Sequence, residues 1–288
     1  QAVPSLFGFK VAEAPLEGLA GVALPDLSLS LKDVEKRAAK EQRRAGVDPK
    51  EALTRRGPLL LTHTGITGPT ALQLSAYAAR FLAEERYKGT LLVNFAPPVT
   101  EQEVFEGLRD RRSVNSARKK KRVSADVTEI LQPPIVKVSV GGSAGKAKKK
   151  RSIMDRRGEE YRLPKRVWRK ILSLSGCDET STWADQSDAK LRSVAKNLCA
   201  MELPFTGRRP HAEEFVTAGG VDLRELNMKL CESKIKSGLF FAGEVLNADA
   251  HCGGFNFMQA WSTGYAAGLG VAQRIEDLAA LREENVRN

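Results

Sequence analysis

Hydrophobic and polar positions change rhythm twice along the chain. In residues 14–31 (APLEGLAGVALPDLSLSL), Leu27, Leu29 and Leu31 alternate with Ser28 and Ser30. That period of two predicts a half-buried strand. Leu59 to Leu61 and Leu91 to Phe95 predict further strands around a helix near Pro69 to Arg86, and a charged segment, Leu31 to Arg56, predicts another helix. Pro and Gly punctuate all of this, so residues 1–99 read as a small β-barrel or sheet.

From Thr100 the period lengthens. Thr100 followed by Glu103 is a capping box, and Val104, Phe105 and Leu108 form one apolar stripe behind it. Val167, Ile171, Leu172 and Leu174, then Leu191, Val194, Ala195 and Leu198, repeat the helical spacing. Residues 100–200 therefore read as a helical subdomain. Trp168, Trp183 and Trp261 fall in helical patterns and are expected in the core.

The last segment, 201–288, has a third texture. Glu214 to Val221 is apolar and then Gly-rich, and Gly238 to Glu244 (GLFFAGE) is a continuous apolar run of the kind found in a buried strand of a parallel sheet. Gly253 and Gly254 follow, then a long helix from about Asn256 to Leu281. Within it Ala260, Gly264 and Gly268 recur every fourth residue, a small-residue face for close packing against a sheet or a cofactor. The whole is an α+β chain.

Charge changes the picture at one place only. Residues 101–170 hold 21 Lys and Arg against 9 Asp and Glu, leaving 25 against 26 for the rest of a chain whose net charge is +11. The basicity belongs to an insertion within the helical subdomain, densest at 109–122 and 146–157 and interrupted by the apolar Ile130 to Val140 and by GGSAG at 141–145. Its like charges predict a mobile loop, dispensable for folding, from 109 to 157. Nucleic acid is a lesser alternative, because the run lacks the interleaved aromatics of a stacking surface.

Four cysteines without a C-x-x-C pair and three histidines without zinc spacing predict no metal and a reducing compartment, cytoplasmic or inside an organelle. The two uncharged stretches, 57–79 and 250–273, are interrupted by Pro, Gly and polar residues and predict no membrane span.

The chemistry concentrates in 238–270. Ligands of open parallel sheets bind outside the carboxyl ends of the strands. Gly243 permits close approach of a ligand there, Glu244 offers a carboxylate to sugar or ribityl hydroxyls, and Gly253-Gly254 opens a helix whose first N–H groups favour negative charge. At this point the sequence resembles the YhiN-like (BaiN-like) NAD(P)/FAD-dependent oxidoreductases. GLFFAGEVLNADAHCGGFNFMQAWSTG (238–264), LLLTHTGITGPTALQLS (59–75) and EEFVTAGGVDLRELNMKLCESKIKSGLFFAGE (213–244) are each similar to blocks of that family.

The resemblance implies an inserted β-barrel and helical subdomain followed by the C-terminal part of a two-part Rossmann-like FAD domain. It implies an FAD site at Gly243, Glu244, Val245, Gly253, Gly254, Phe255, Asn256 and Phe257, and NAD(P)H as reductant of an unidentified substrate. Two departures are Asn247, where the family has Asp, and Phe255, where it has Tyr. The family's N-terminal G-x-G-x-x-G has no counterpart in the sequence, so the chain reads as a fragment of a longer flavoprotein. The alternative is a non-enzymatic assembly protein that docks on RNA or an acidic partner. No catalytic residue is assigned. Cys252 reads as a small loop residue, His63 as a structural hydrogen-bonding group in the barrel, and His251 has no visible partner.

Overall fold

The structure is a computed structural model that describes residues 2–32, 53–113, 119–125, 163–209, 216–250 and 252–287. Most of the predicted 31–56 helix, the 130–140 apolar stretch, the 146–157 basic run, His211 and His251 lie outside them. The described ends of that predicted helix are strands. Contacts divide the chain into two units, residues 8–74 with 85–211, and residues 1–7 with 75–84 and 212–288.

The first unit is built on a closed antiparallel barrel of β2 (Phe9–Val11), β5 (Gly65–Thr67), β4 (Thr54–Thr62), β3 (Ala23–Leu31), β6 (Gly89–Asn94) and β7 (Met201–Arg208), in that order around the barrel. Closure removes every exposed sheet edge. The alternation read at Leu27, Leu29 and Leu31 is the inward set of β3, and all three are buried. Phe9 and Phe205, 5.1 Å apart edge to face, fill the seam where β2 meets β7.

Inside β3 a register shift between Leu24 and Leu27 accommodates Asp26, whose side chain is 3% exposed. Arg56 answers it with a fork: Nε donates to Oδ1 at 2.9 Å and Nη2 to Oδ2 at 2.6 Å. A buried carboxylate is tolerated only with such a partner.

β7 comes from residues 201–208, so the barrel is completed after the helical subdomain rather than before residue 99. The sequence reading of 201–288 as one return to the flavin domain therefore divides at about residue 211. Strand closure is a non-local pairing, which local periodicity does not register.

Three α-helices among the described residues lie between β6 and β7. α4 (Glu101–Arg112) carries the full capping box at Thr100 and Glu103 and buries Val104, Phe105 and Leu108. α5 (Lys165–Leu174) buries Val167, Trp168, Ile171 and Leu172, while Leu174 is exposed. α6 (Asp188–Cys199) packs on α4 and runs directly into β7. Trp168 and Trp183 stack at 6.5 Å between ring centroids, both fully buried. The basic segment 119–125 is part of this packing. Val123 is buried, and its carbonyl accepts the indole N–H of Trp168 at 2.9 Å. At 119–125 the structure departs from the expected mobile loop, because one apolar residue anchors that stretch to the tryptophan core; residues 114–118 and 126–157 lie outside the described residues.

The second unit pairs β1 (Val3–Ser5) with β8 (Val216–Ala218), and Val3, Ala218 and Ala79 of α3 (Ala79–Glu84) form a small core. A four-residue turn, Met228 to Cys231, joins β9 (Leu226–Asn227) to β10 (Glu232–Ser233), and the 33-residue helix α7 (Phe255–Arg287) follows. Among the described residues no helix is long and apolar enough to cross a membrane.

Candidate functional site

The segment expected as a buried parallel strand, Gly238 to Glu244, is not one. Phe240 makes a single antiparallel bridge to Glu232, and Leu239 and Val245 are exposed. A strand of a parallel sheet needs a parallel neighbour, and the only parallel pairing among the described residues is the bridge Val221 to Leu246. An apolar run fits a covered strand or a waiting one equally well, which is why the pattern misleads.

What the segment does form is a loop stapled to the start of α7. Gly243 N donates to Thr263 Oγ1 at 2.9 Å, and Gln259 Nε2 donates to Gly243 O at 3.2 Å. Asn256 closes the other end of the loop, accepting from Ala250 N at 2.8 Å and donating to Ala250 O at 3.0 Å. Asn256, Gln259 and Thr263 lie on one face of α7 at spacings of three and four, so a single helix face holds both ends of the loop.

Glycine is required at three places here by conformation. Gly243, Gly253 and Gly254 have φ of +76°, +121° and +88°, and a methyl group added at Gly243 or Gly254 would meet nothing within 4 Å. The loop thus presents bare backbone to open space. Glu244 is exposed, and its Oε1 accepts the backbone N–H of Thr217 at 2.7 Å. The carboxylate is therefore pinned to β8 rather than free to swing. The structure brings Gly243, Glu244, Val245, Gly253, Gly254, Asn256 and the rings of Phe255 and Phe257 into one loop–helix element.

The rest of α7 departs from expectation. Gly264 and Gly268 face open space, whereas the close approach is at Gly270, where an added Cβ would lie 2.7 Å from Leu230 O and from Phe240. Ala260, Ala267 and Gly270 are the packed stripe. Trp261, expected in the core, is 69% exposed, with Phe257 at 68%, Tyr265 at 72% and Ile275 at 62%. No described residue covers that face.

Around the site, Asn247 Oδ1 accepts from Arg80 Nη2 at 3.1 Å, so the family's Asp would have formed an ion pair where this chain has a neutral hydrogen bond. Burial pushes the carboxyl of Asp249 above its ordinary range, although Ser5 Oγ donates to it at 3.4 Å. Sequence reasoning passed over Thr217, Gln259 and Thr263. For the last two the helical spacing from Asn256 was the available signal.

His63 sits exposed in the turn between β4 and β5 and lines a cavity of about 280 Å³ with Leu16, Glu17 and Thr62; among the described residues its ring makes no hydrogen bond to the barrel. The thiols are unpaired, and burial raises Cys177, Cys231 and, to about 12, Cys199, so these three are inert at neutral pH. No group of three metal-ligating side chains occurs among the described residues.

The class of protein is set by the family model that the chain matches, a Rossmann-domain family. The chain matches the model of the HI0933-like protein Rossmann domain over residues 8–270 and belongs to that family, the YhiN- and BaiN-like flavoproteins. It is 26% identical over 216 residues to the ribosomal RNA dihydrouridine synthase of Haemophilus influenzae, covering 75% of this chain and 42% of that protein. The enzyme of the same name from Escherichia coli is 25% identical over 210 residues, 72% of this chain and 40% of its own length. The 3-dehydro-bile acid delta(4,6)-reductase of Clostridium scindens is 30% identical over 112 residues, 39% of this chain and 27% of the reductase. The chain spans less than half the length of the curated relatives it matches.

Proposed function

We propose that the protein is an FAD-dependent oxidoreductase that saturates an electron-poor carbon–carbon double bond, with NAD(P)H as the source of electrons. Two kinds of relative support the reaction class. A dihydrouridine synthase and a delta(4,6)-reductase share one chemistry by their names, the addition of two hydrogens across a conjugated C=C bond. The carrying observation is the element at 243–257: a fixed carboxylate and an unobstructed glycine backbone at the start of a long helix.

Each residue has a fitting part to play. Glu244, held by Thr217, would accept hydrogen bonds from ribityl hydroxyls. Gly253 and Gly254 would leave room for the ring system at the first turn of α7, where the helix dipole favours negative charge. Asn256, Gln259 and Thr263 hold the loop in place before any ligand arrives, so little ordering is needed on binding. When bound, the flavin supplies a two-electron carrier that the protein itself lacks. The pyrophosphate cradle is the part this sequence does not contain. In this reading the exposed apolar face of α7 is covered by the dinucleotide-binding half of a longer family-type protein. Four free cysteines support the reading of a reducing compartment.

The test is Glu244→Ala in the chain joined to such a half. FAD affinity measured by fluorescence quenching should fall by about 1.5–3 kcal/mol, the range for a hydrogen bond to a charged group. Unchanged affinity would remove Glu244 from the site.

A further inference from the structure

The hollow beside His63 lies on the barrel unit and has no part in the flavin reading. Its volume is about 280 Å³, and both of its walls are fastened to the barrel. The 12–22 segment buries Leu16 and Leu19, Ala12 N donates to Pro204 O at 3.2 Å, and Gly21 N donates to Leu61 O at 2.9 Å. The β4–β5 turn, which forms the other wall, is closed by Thr62 Oγ1 donating to Gly65 O at 2.9 Å. A hollow with fixed walls needs little ordering to take a ligand.

Its polar groups are mostly acceptors. Val11 and Leu16 are buried and give an apolar base, while Glu17, Thr62 and His63 bring the polar atoms. Thr62 has committed its proton to Gly65, so its oxygen can only accept from a ligand. The Glu17 carboxylate is 81% exposed, and its ion pair among the described residues is with Lys170, Nζ to Oε2 at 3.8 Å. That pair carries no net charge and leaves both carboxylate oxygens with room to accept. The imidazole of His63 makes no hydrogen bond among the described residues and can donate or accept.

An acceptor-rich rim suits a ligand rich in donors. Two parallel donors match a carboxylate, and either a guanidinium or two adjacent hydroxyls provides them. Lys170 beside Glu17 disfavours the cation, which leaves the hydroxyls. No Phe, Tyr or Trp lines the hollow, so a flat base finds no ring to stack on. At ~30 Å³ for each water molecule the volume equals about nine waters, close to a pentose of about ten non-hydrogen atoms.

We infer that this hollow binds a pentose ring through its vicinal diol. Glu17 accepts from both hydroxyls of the diol, Thr62 Oγ1 accepts from a third, and His63 closes the rim. The C–H face of the ring rests on Val11 and Leu16. A free sugar and the ribose of a dinucleotide carry the same diol. No flavin is involved in this binding.

The test is an amide NMR titration of the 288-residue chain with D-ribose. Amides at 17–20 and 62–65 should shift, and those of the strand interiors should not. Deoxyribose lacks one hydroxyl of the diol and should bind on the order of 10-fold more weakly. Glu17→Gln removes the charged acceptor and should weaken ribose on the order of 10-fold or more, with the amide pattern outside the hollow unchanged because the side chain is exposed. His63→Ala should cost less than Glu17→Gln. Equal binding of ribose and deoxyribose would overturn the assignment. So would ribose binding that Glu17→Gln leaves unchanged, or ribose that shifts no amide of the two walls. NADH in place of ribose separates the sources: shifts of the same amides at lower concentration assign the diol to a dinucleotide, and no shift assigns it to a free pentose. Glu244→Ala should leave this titration unchanged, so failure here leaves the flavin assignment standing, and failure of the Glu244 test leaves the hollow standing.

Discussion

The two units treat their apolar residues in opposite ways. In the barrel unit the inward residues of every strand are buried, the one deeply buried acid has its arginine, and even the basic run at 119–122 is tied to a buried valine. In the unit that carries the glycine loop, Phe257, Trp261, Tyr265 and Ile275 of α7 stand more than 60% exposed. Patches of that kind mark surfaces to be covered. The barrel unit contains its own core, whereas the other has a polar face stapled to its loop and an apolar face that awaits a partner.

That contrast breaks most visibly at Arg56. Arg56→Ala leaves the Asp26 carboxylate buried without its fork and should destabilise the barrel unit by about 3–5 kcal/mol in chemical denaturation. A loss under 1 kcal/mol would mean that the barrel does not depend on the pair. Next comes Trp168→Phe, which keeps most of the ring but orphans the carbonyl of Val123. It should cost about 1–3 kcal/mol and increase hydrogen exchange over 119–125. A neutral result would show the basic segment to be held by its backbone alone.

Thr100→Ala sharpens the same comparison at a surface site and should cost about 0.5–2 kcal/mol through the lost cap of α4. Hydrogen bonds from the Thr100 backbone and hydroxyl hold the Glu103 carboxylate below its ordinary pKa of 4.5. A depressed folded-state pKa stabilises above the unfolded value and ceases to do so as pH falls through the folded one. The Thr100→Ala effect should therefore be full at neutral pH and shrink below about pH 4. A pH-independent difference would exclude the Glu103 arm of the box. Smallest of all should be Trp261→Ser in the chain by itself, within about 0.5 kcal/mol, because the ring there is already in water.

Much of the barrel unit was legible in the sequence. The leucines of β3, the box at Thr100 and the stripes of α5 and α6 are local signals, and local structure follows them. β7 was harder to read: Met201, Leu203 and Phe205 alternate inward, yet Pro204 argues against a strand interior and the pairing partners lie far along the chain. The packing of 119–125 was hidden because one valine among like charges carries its anchoring.

At the candidate site the glycines and Glu244 were readable as types, and their left-handed conformations and the Thr217 hydrogen bond agree with a loop shaped in advance. GLFFAGE and the α7 face were misread for a single reason. Hydrophobic pattern records which surface is meant to be covered, and it does not say which polypeptide covers it.

Acrylamide quenching of tryptophan fluorescence tests this directly, since one of the three tryptophans is exposed and the other two are buried. In the chain alone Trp261 should be the quenchable residue, and Trp261→Phe should remove that fraction. Joined to a family-type dinucleotide-binding half and loaded with FAD, the same residue should become protected. Trp261 quenched equally in both states would contradict the claim that the apolar face of α7 is the covered side of a flavin domain.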